Sequence, residues 1–151
     1  ATVMDPQQRL VLEHGLSALH GFGLSKAELM GSGTGVFVGI WACEYVEVLR
    51  ASPAASGAFG ATAATCSVVC GRVSFALGMQ GPCISYDTAC SSGLVASHSG
   101  LRALQYGECP VGLAIGVNMI FSPSGSTGNA LAGMTSPTGK SHTFDKRANG
   151  Y

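Results

Sequence analysis

Asp87-Thr88-Ala89-Cys90-Ser91-Ser92-Gly93-Leu94-Val95-Ala96 is the stretch on which the reading turns. A short β-leaning run, Cys83-Ile84-Ser85-Tyr86, leads into it, and a helix-compatible run from Leu94 to Tyr106 leads out. The pattern is a strand, a sharp turn carrying a thiol among small residues, and a helix. A helix start carries unpaired N–H groups and a partial positive charge, and both lower a thiol's pKa and make it a better nucleophile. On position alone Cys90 reads in two ways. It is a catalytic nucleophile, or it is the small buried hydrophobe that free cysteines often are.

Upstream, Asp5-Pro6-Gln7-Gln8 opens a helix: Asp5 suits the N-cap, Pro6 the first helical position, and Gln8 the reciprocal place in a capping box. Leu10, Val11, Leu16 and Leu19 give that helix an apolar face, ended by Gly21 or Gly23. A second helical piece covers Leu24 to Leu29. Thr34 to Ile40 is a strand too apolar to face water on either side. The run Gly31-Ser32-Gly33-Thr34-Gly35 resembles a phosphate loop, but it precedes a strand and carries no Gly-Lys-Ser/Thr, so its glycines read as turn residues. Glu44 to Arg50 reads as a short helix with Tyr45, Val48 and Leu49 inward. Ala51 to Thr65 reads as a low-complexity linker or as a loop held against a partner by Phe59. Cys66 to Leu77 is a helix stopped by Gly78, with Arg72 expected to pair or to cap carbonyls.

Downstream, the helix after Cys90 carries Leu94, Val95, Leu101 and Leu104, and its glycines Gly93 and Gly100 point to close backbone packing. His98 lies about 12 Å beyond Cys90 at 1.5 Å per residue, out of hydrogen-bond reach. His14 and His20 read as surface or boundary residues. Cys109 to Asn118 is another buried strand whose Gly112 and Gly116 allow close contact. A loop and short helix begin at Ser122-Pro123-Ser124-Gly125, and Gly133 to Gly139 is a second loop. Alternating helices and buried strands predict an α/β fold with a mostly parallel sheet covered on both faces.

Only 11% of the 151 residues are charged, against about 25% in an ordinary soluble domain. Cys109 to Gly139 holds no charge at all. So apolar a chain is expected to be a piece of a larger protein or a subunit with extensive interfaces. The net charge is zero, and with no basic patch no nucleic-acid partner is expected. No signal peptide and no unbroken apolar span are visible. The six cysteines, Cys43, Cys66, Cys70, Cys83, Cys90 and Cys109, form no CxxC pair. A zinc site is not expected, and reduced thiols in a cytosolic-type compartment are.

Several motifs occur in one order: Met4-Asp5-Pro6-Gln7-Gln8-Arg9, Thr34-Gly35-Val36-Phe37-Val38-Gly39, Gly71-Arg72-Val73-Ser74, Gly81-Pro82, Asp87-Thr88-Ala89-Cys90-Ser91-Ser92, Gly116-Val117-Asn118, Ser136-Pro137 and Thr143-Phe144-Asp145. Together they resemble the β-ketoacyl synthase (ketosynthase) domain of type I polyketide synthases, with the fatty acid synthase enzymes as more distant kin. The resemblance implies a thiolase-like fold of two α/β halves, an obligate homodimer, and a chain (residues 1–151) that is an internal slice of the first half, incomplete at both ends. It implies that Cys90 takes an acyl chain from the phosphopantetheine arm of an acyl carrier protein and that the Cys90 backbone N–H is one oxyanion donor. No cofactor is bound directly, and the compartment is cytoplasmic, or a plastid in a eukaryote.

The resemblance also implies two catalytic histidines, in His-Gly-Thr and Gly-His motifs C-terminal of this region; neither motif occurs here, so the slice alone is expected to be inactive in condensation. Gly93 stands where the commonest polyketide version has a third serine, a feature shared with the fatty-acid branch. The competing readings are a non-catalytic scaffold or dimerisation subunit, which lacks the nucleophile that Cys90 supplies, a thiolase-type acyltransferase, a cysteine hydrolase, which needs a nearby His with Asp or Asn, and a redox-sensor thiol.

Overall fold

All six residues of Gly35–Ile40 (β1) are buried, and their alternation divides the interior in two. Val36, Val38 and Ile40 point into one apolar cluster and Phe37 into another. A strand with both faces covered must lie centrally in a sheet. In this computed structural model, which describes residues 3–41, 44–53, 57 and 59–151, β1 is indeed the middle strand. Cys83–Tyr86 (β2) and Gly112–Val117 (β3) flank it, both parallel, in the order β2-β1-β3. The register sets Val36 opposite Cys83 and Leu113, and Gly39 opposite Tyr86 and Gly116.

The helices supply the two covers. Pro6–Gly21 (α1) and Val68–Leu77 (α5) deliver Val11, Leu19, Val69, Val73 and Leu77 to the first cluster. Ser92–Gln105 (α6) delivers Ala96 and Ala103 to the second, against Phe37. Each fully buried aliphatic or aromatic side chain contributes about 1.5–3 kcal/mol relative to exposure. Lys26–Leu29 (α2), Tyr45–Arg50 (α3) and Gly60–Ala63 (α4) are short connectors. The chain divides into two units, Ala1–Met119, which holds the sheet, and Ile120–Tyr151, which holds Pro123–Leu131 (α7).

α6 packs by its small residues, and expectations for α3 and α1 need correction. α6 does not bury its leucines: its inward face is Ser92, Ala96, Gly100 and Ala103, while Leu94, Leu101 and Leu104 are exposed. Small residues let the helix axis approach β1 and β3 closely, and the larger side chains are left outside. In α3 only Leu49 is buried, and Val48 faces out. Asp5 caps α1 by accepting the Gln7 N–H at 2.7 Å, but Gln8 does not close the box. Instead the buried Gln8 amide donates to the Thr62 and Thr65 carbonyls at 3.2 and 3.3 Å.

Residues 59–65 are therefore not a loose linker. They contain α4, their Ala63 carbonyl accepts the Asp5 N–H at 2.8 Å, and Ala63 and Ala64 are buried. Arg72 does cap a carbonyl, donating to Thr62 at 3.0 Å. Phe59 is exposed. Cys66 precedes α5 and is disulfide-bonded, against the expectation of reduced thiols. Cys43 and positions 54–56 and 58 lie outside the described residues.

Candidate functional site

β2 ends at Tyr86, and Ala89–Ser91 follows as a single 3₁₀ turn before α6 begins at Ser92. Cys90 sits in the middle of that turn and is exposed. Cys90 thus lies beyond the carboxyl end of a parallel strand, where open α/β sheets form their ligand crevices. The turn is strained. Ala89 has φ 54°, a left-handed conformation in a residue with a Cβ, which costs about 1–2 kcal/mol. Such strain persists only where the surroundings enforce it.

Hydrogen bonds enforce it from all sides. The Asp87 carboxylate accepts the Ala89 N–H at 3.2 Å. Ser91 donates through its hydroxyl to the Thr88 carbonyl at 2.8 Å, and its N–H reaches the same carbonyl at 3.3 Å. The buried Ser92 hydroxyl accepts the Thr88 N–H at 2.8 Å and donates to the Ala89 carbonyl at 2.7 Å. The Ser92 N–H bonds the Ala89 carbonyl. Every backbone donor from Thr88 to Ser92 is thereby used except that of Cys90, which has no acceptor among the described residues. An unpaired N–H beside an exposed thiol is the kind of donor that a developing oxyanion requires.

Packing fixes the turn from below. A Cβ on Gly39 of β1 would come within 2.4 Å of the Ser92 carbonyl carbon and 2.5 Å of the Gly93 nitrogen. The first turn of α6 therefore rests directly on the β1 backbone. Gly93 and Gly116 face each other more loosely, with a Cβ on Gly93 meeting Gly116 Cα at 3.8 Å, so position 93 has room for a small side chain.

Two further thiols are raised by their surroundings. Burial pushes the Cys109 thiol above the ordinary thiol range, with the Gly35 backbone opposing and Glu108 adding to it. Burial likewise raises that of Cys83, with a Ser74 bond opposing and the neighbouring Cys70 adding to it. Raised thiols are poor nucleophiles at neutral pH. Cys70 is buried. His14, His20 and His98 are exposed on α1 and α6. Among the described residues no three His, Cys, Asp or Glu side chains cluster as a metal site would need. Among the described residues no helix is long and apolar enough to cross a membrane.

Reasoning from sequence singled out Cys90 but passed over Gly39 and Ser92. A glycine inside a fully buried strand signals close backbone approach, so Gly39 was detectable. Ser92 was not, because its role depends on which way a short polar side chain turns.

In the second unit, Arg147 holds Asp145 with a bidentate pair at 2.9 and 2.7 Å, and its own N–H donates to the same carboxylate at 2.9 Å. These bonds keep the Asp145 carboxyl below the usual carboxylate range. A depressed pKa contributes order that is present above the ordinary aspartate range and lost as pH falls through the folded value. Hydrogen-exchange protection of the Arg147 amide is therefore expected to persist at pH 5 and to fall in more acidic buffer. The effect is modest because the pair is solvated.

The whole chain, residues 1–151, matches the family described as Beta-ketoacyl synthase, N-terminal domain. It is 44% identical over its full length to a mycocerosic acid synthase-like polyketide synthase of Mycolicibacterium smegmatis, of which it covers 7%. It is 41% identical over its full length to highly reducing polyketide synthase 40 of Fusarium pseudograminearum, of which it covers 6%. Among solved structures, the ketosynthase from module 6 of the bacillaene synthase of Bacillus subtilis 168 aligns with a TM-score of 0.86 at 33% identity, over 99% of this chain and 25% of that one. The oxazolomycin ketosynthase domain OzmH KS7 of Streptomyces albus JA3453 aligns at 0.82 and 35% identity, over 98% and 26%. The chain thus spans a small fraction of these curated relatives and about a quarter of these solved ketosynthases.

Proposed function

Because the chain belongs to the β-ketoacyl synthase family, with the α/β, thiolase-like fold of its polyketide synthase members, we propose that Cys90 is the acyl-accepting nucleophile of a polyketide-type condensing enzyme. The observation that carries this is the strained turn that leaves the Cys90 thiol exposed and its N–H unpaired. In the first step the Cys90 sulfur, having lost its proton, attacks the carbonyl carbon of an acyl thioester. The carbonyl oxygen gains negative charge and takes the Cys90 N–H as one donor. The bond to the carrier sulfur then breaks, and the carrier leaves as a thiol with a proton.

In the second step a malonyl-type carrier thioester loses carbon dioxide. The resulting carbanion attacks the Cys90 thioester, and a proton returns to the Cys90 sulfur. The product is a β-ketoacyl thioester on the carrier, two backbone carbons longer. Thioester exchange is nearly neutral in energy, so decarboxylation drives the sequence. The reading also requires two histidines, in His-Gly-Thr and Gly-His motifs that do not occur within residues 1–151, and a second oxyanion donor from outside them.

The partner this reading requires is an acyl carrier protein that presents its substrates on phosphopantetheine. A homodimer fits the exposed edge of β2 and its exposed Ile84, since an uncovered strand edge invites pairing with a second copy. A cytoplasmic-type compartment fits the reaction. Intact-mass measurement of the full-length synthase with an acyl thioester donor is expected to show one acyl group per Cys90. Replacement Cys90→Ala is expected to abolish that adduct, and an unchanged adduct in the variant would sink the proposal.

A further inference from the structure

The turn that presents Cys90 is held by a side chain that the reaction itself never uses. Ser92 is the first residue of α6 and is buried, and its hydroxyl joins two groups on the approach to Cys90, the Thr88 N–H at 2.8 Å and the Ala89 carbonyl at 2.7 Å. These two bonds bracket Ala89, the residue held at φ 54°. Were Ala89 to relax to the favoured right-handed region, the helical turn would continue upstream. The Cys90 N–H would then meet a carbonyl three or four residues back, as N–H groups inside helices do. The strained conformation is what keeps that N–H free.

Ser92 also cannot drift, because its backbone lies against Gly39 with no space for even a methyl group between them. We propose that Ser92 is a positioning residue of the condensing reaction: its hydroxyl locks the left-handed Ala89 and so reserves the Cys90 N–H for the oxyanion. This inference rests on the reading of Cys90 as acyl acceptor, and it assigns a task to the second serine of the Cys-Ser-Ser run.

The test separates reactions that build an oxyanion from those that do not. In the full-length synthase, Cys90 is acylated with a small acyl N-acetylcysteamine thioester and, separately, alkylated with iodoacetamide. Alkylation displaces iodide at a saturated carbon and needs no oxyanion donor. For Ser92→Ala, acylation is expected to slow about tenfold to a hundredfold, the upper figure being that of a roughly 1 Å misplacement and less than a donor removed outright would cost, while alkylation stays within about twofold. Ser92→Thr keeps the hydroxyl and is expected to acylate within about threefold of the parent. The proposal is overturned if Ser92→Ala acylates at the parental rate, if both reactions fall in parallel, or if Ser92→Thr is as slow as Ser92→Ala. Should the unmodified synthase alkylate at Cys90 yet never acylate there, the reading of Cys90 fails first and takes this inference with it.

Discussion

Replacing Gly39 by alanine is expected to cost at least about 3 kcal/mol of stability, the upper range for overpacking a close-packed interior, and, on the proposed role of Cys90, to remove its acylation. The added methyl would lie 2.4 Å from the Ser92 carbonyl carbon and 2.5 Å from the Gly93 nitrogen and the Ser92 oxygen. All three are backbone atoms, so no rotamer change relieves the clash. Either β1 shifts within its two parallel ladders or α6 lifts and carries the Cys90 turn with it. The first breaks sheet pairing, and the second alters the strained turn. Thermal unfolding of the intact synthase, together with its acylation rate, checks this. Gly71→Ala is the control. A Cβ on Gly71, inside α5, meets nothing within 4 Å, so this change is expected to be stabilising by about 0.5–1 kcal/mol and to leave acylation unchanged. Equal tolerance of both substitutions would show that α6 does not rest on Gly39.

The contrast between these two glycines also shows what the sequence could and could not disclose. The α/β alternation, the buried strand at Thr34 to Ile40 and the strand–turn–helix around Cys90 were legible because they rest on apolar periodicity and on turn chemistry, whereas Cys109 to Asn118, also expected to be buried, proves partly exposed in β3. The burial of α6 was not. Leucines at Leu94, Leu101 and Leu104 normally mark a core face, but here Ala96, Gly100 and Ala103 face inward because the helix must come close enough to seat Cys90 beside the sheet. Hydrophobicity ranks the leucines above the small residues, whereas close approach reverses the order. Gln8, expected to close a capping box, and Gln7, given no role, were missed for a related reason. Two fully buried amides look like surface residues until their partners are known. Gln7 accepts the Met119 N–H at 3.0 Å, and Gln8 holds the carbonyls around α4. Those partners lie dozens of residues away, beyond any local pattern.

Phe37 gives the second large effect. Its ring is buried in the α6-facing cluster with Ala96, Ala103 and Cys109, and three glycines shape its slot. A Cβ on Gly35 would meet the ring at 2.8 Å, one on Gly100 at 3.2 Å and one on Gly112 at 3.6 Å. Phe37→Ala is expected to cost about 3–5 kcal/mol, because the lost burial is compounded by a cavity that backbone-lined walls cannot collapse to fill. Gly100→Ala alone sets two opposing effects against each other: about 1 kcal/mol gained in helix propensity, and a methyl forced against an aromatic edge that has nowhere to move. If the ring is what excludes the methyl, then Phe37→Leu, which shortens the side chain, should make Gly100→Ala less harmful. The double variant is expected to be more stable than the sum of the single changes by about 0.5–3 kcal/mol, the range for residues in direct contact. Urea unfolding of the four proteins measures that difference, and strict additivity would mean that some wall other than Phe37 sets the approach of α6.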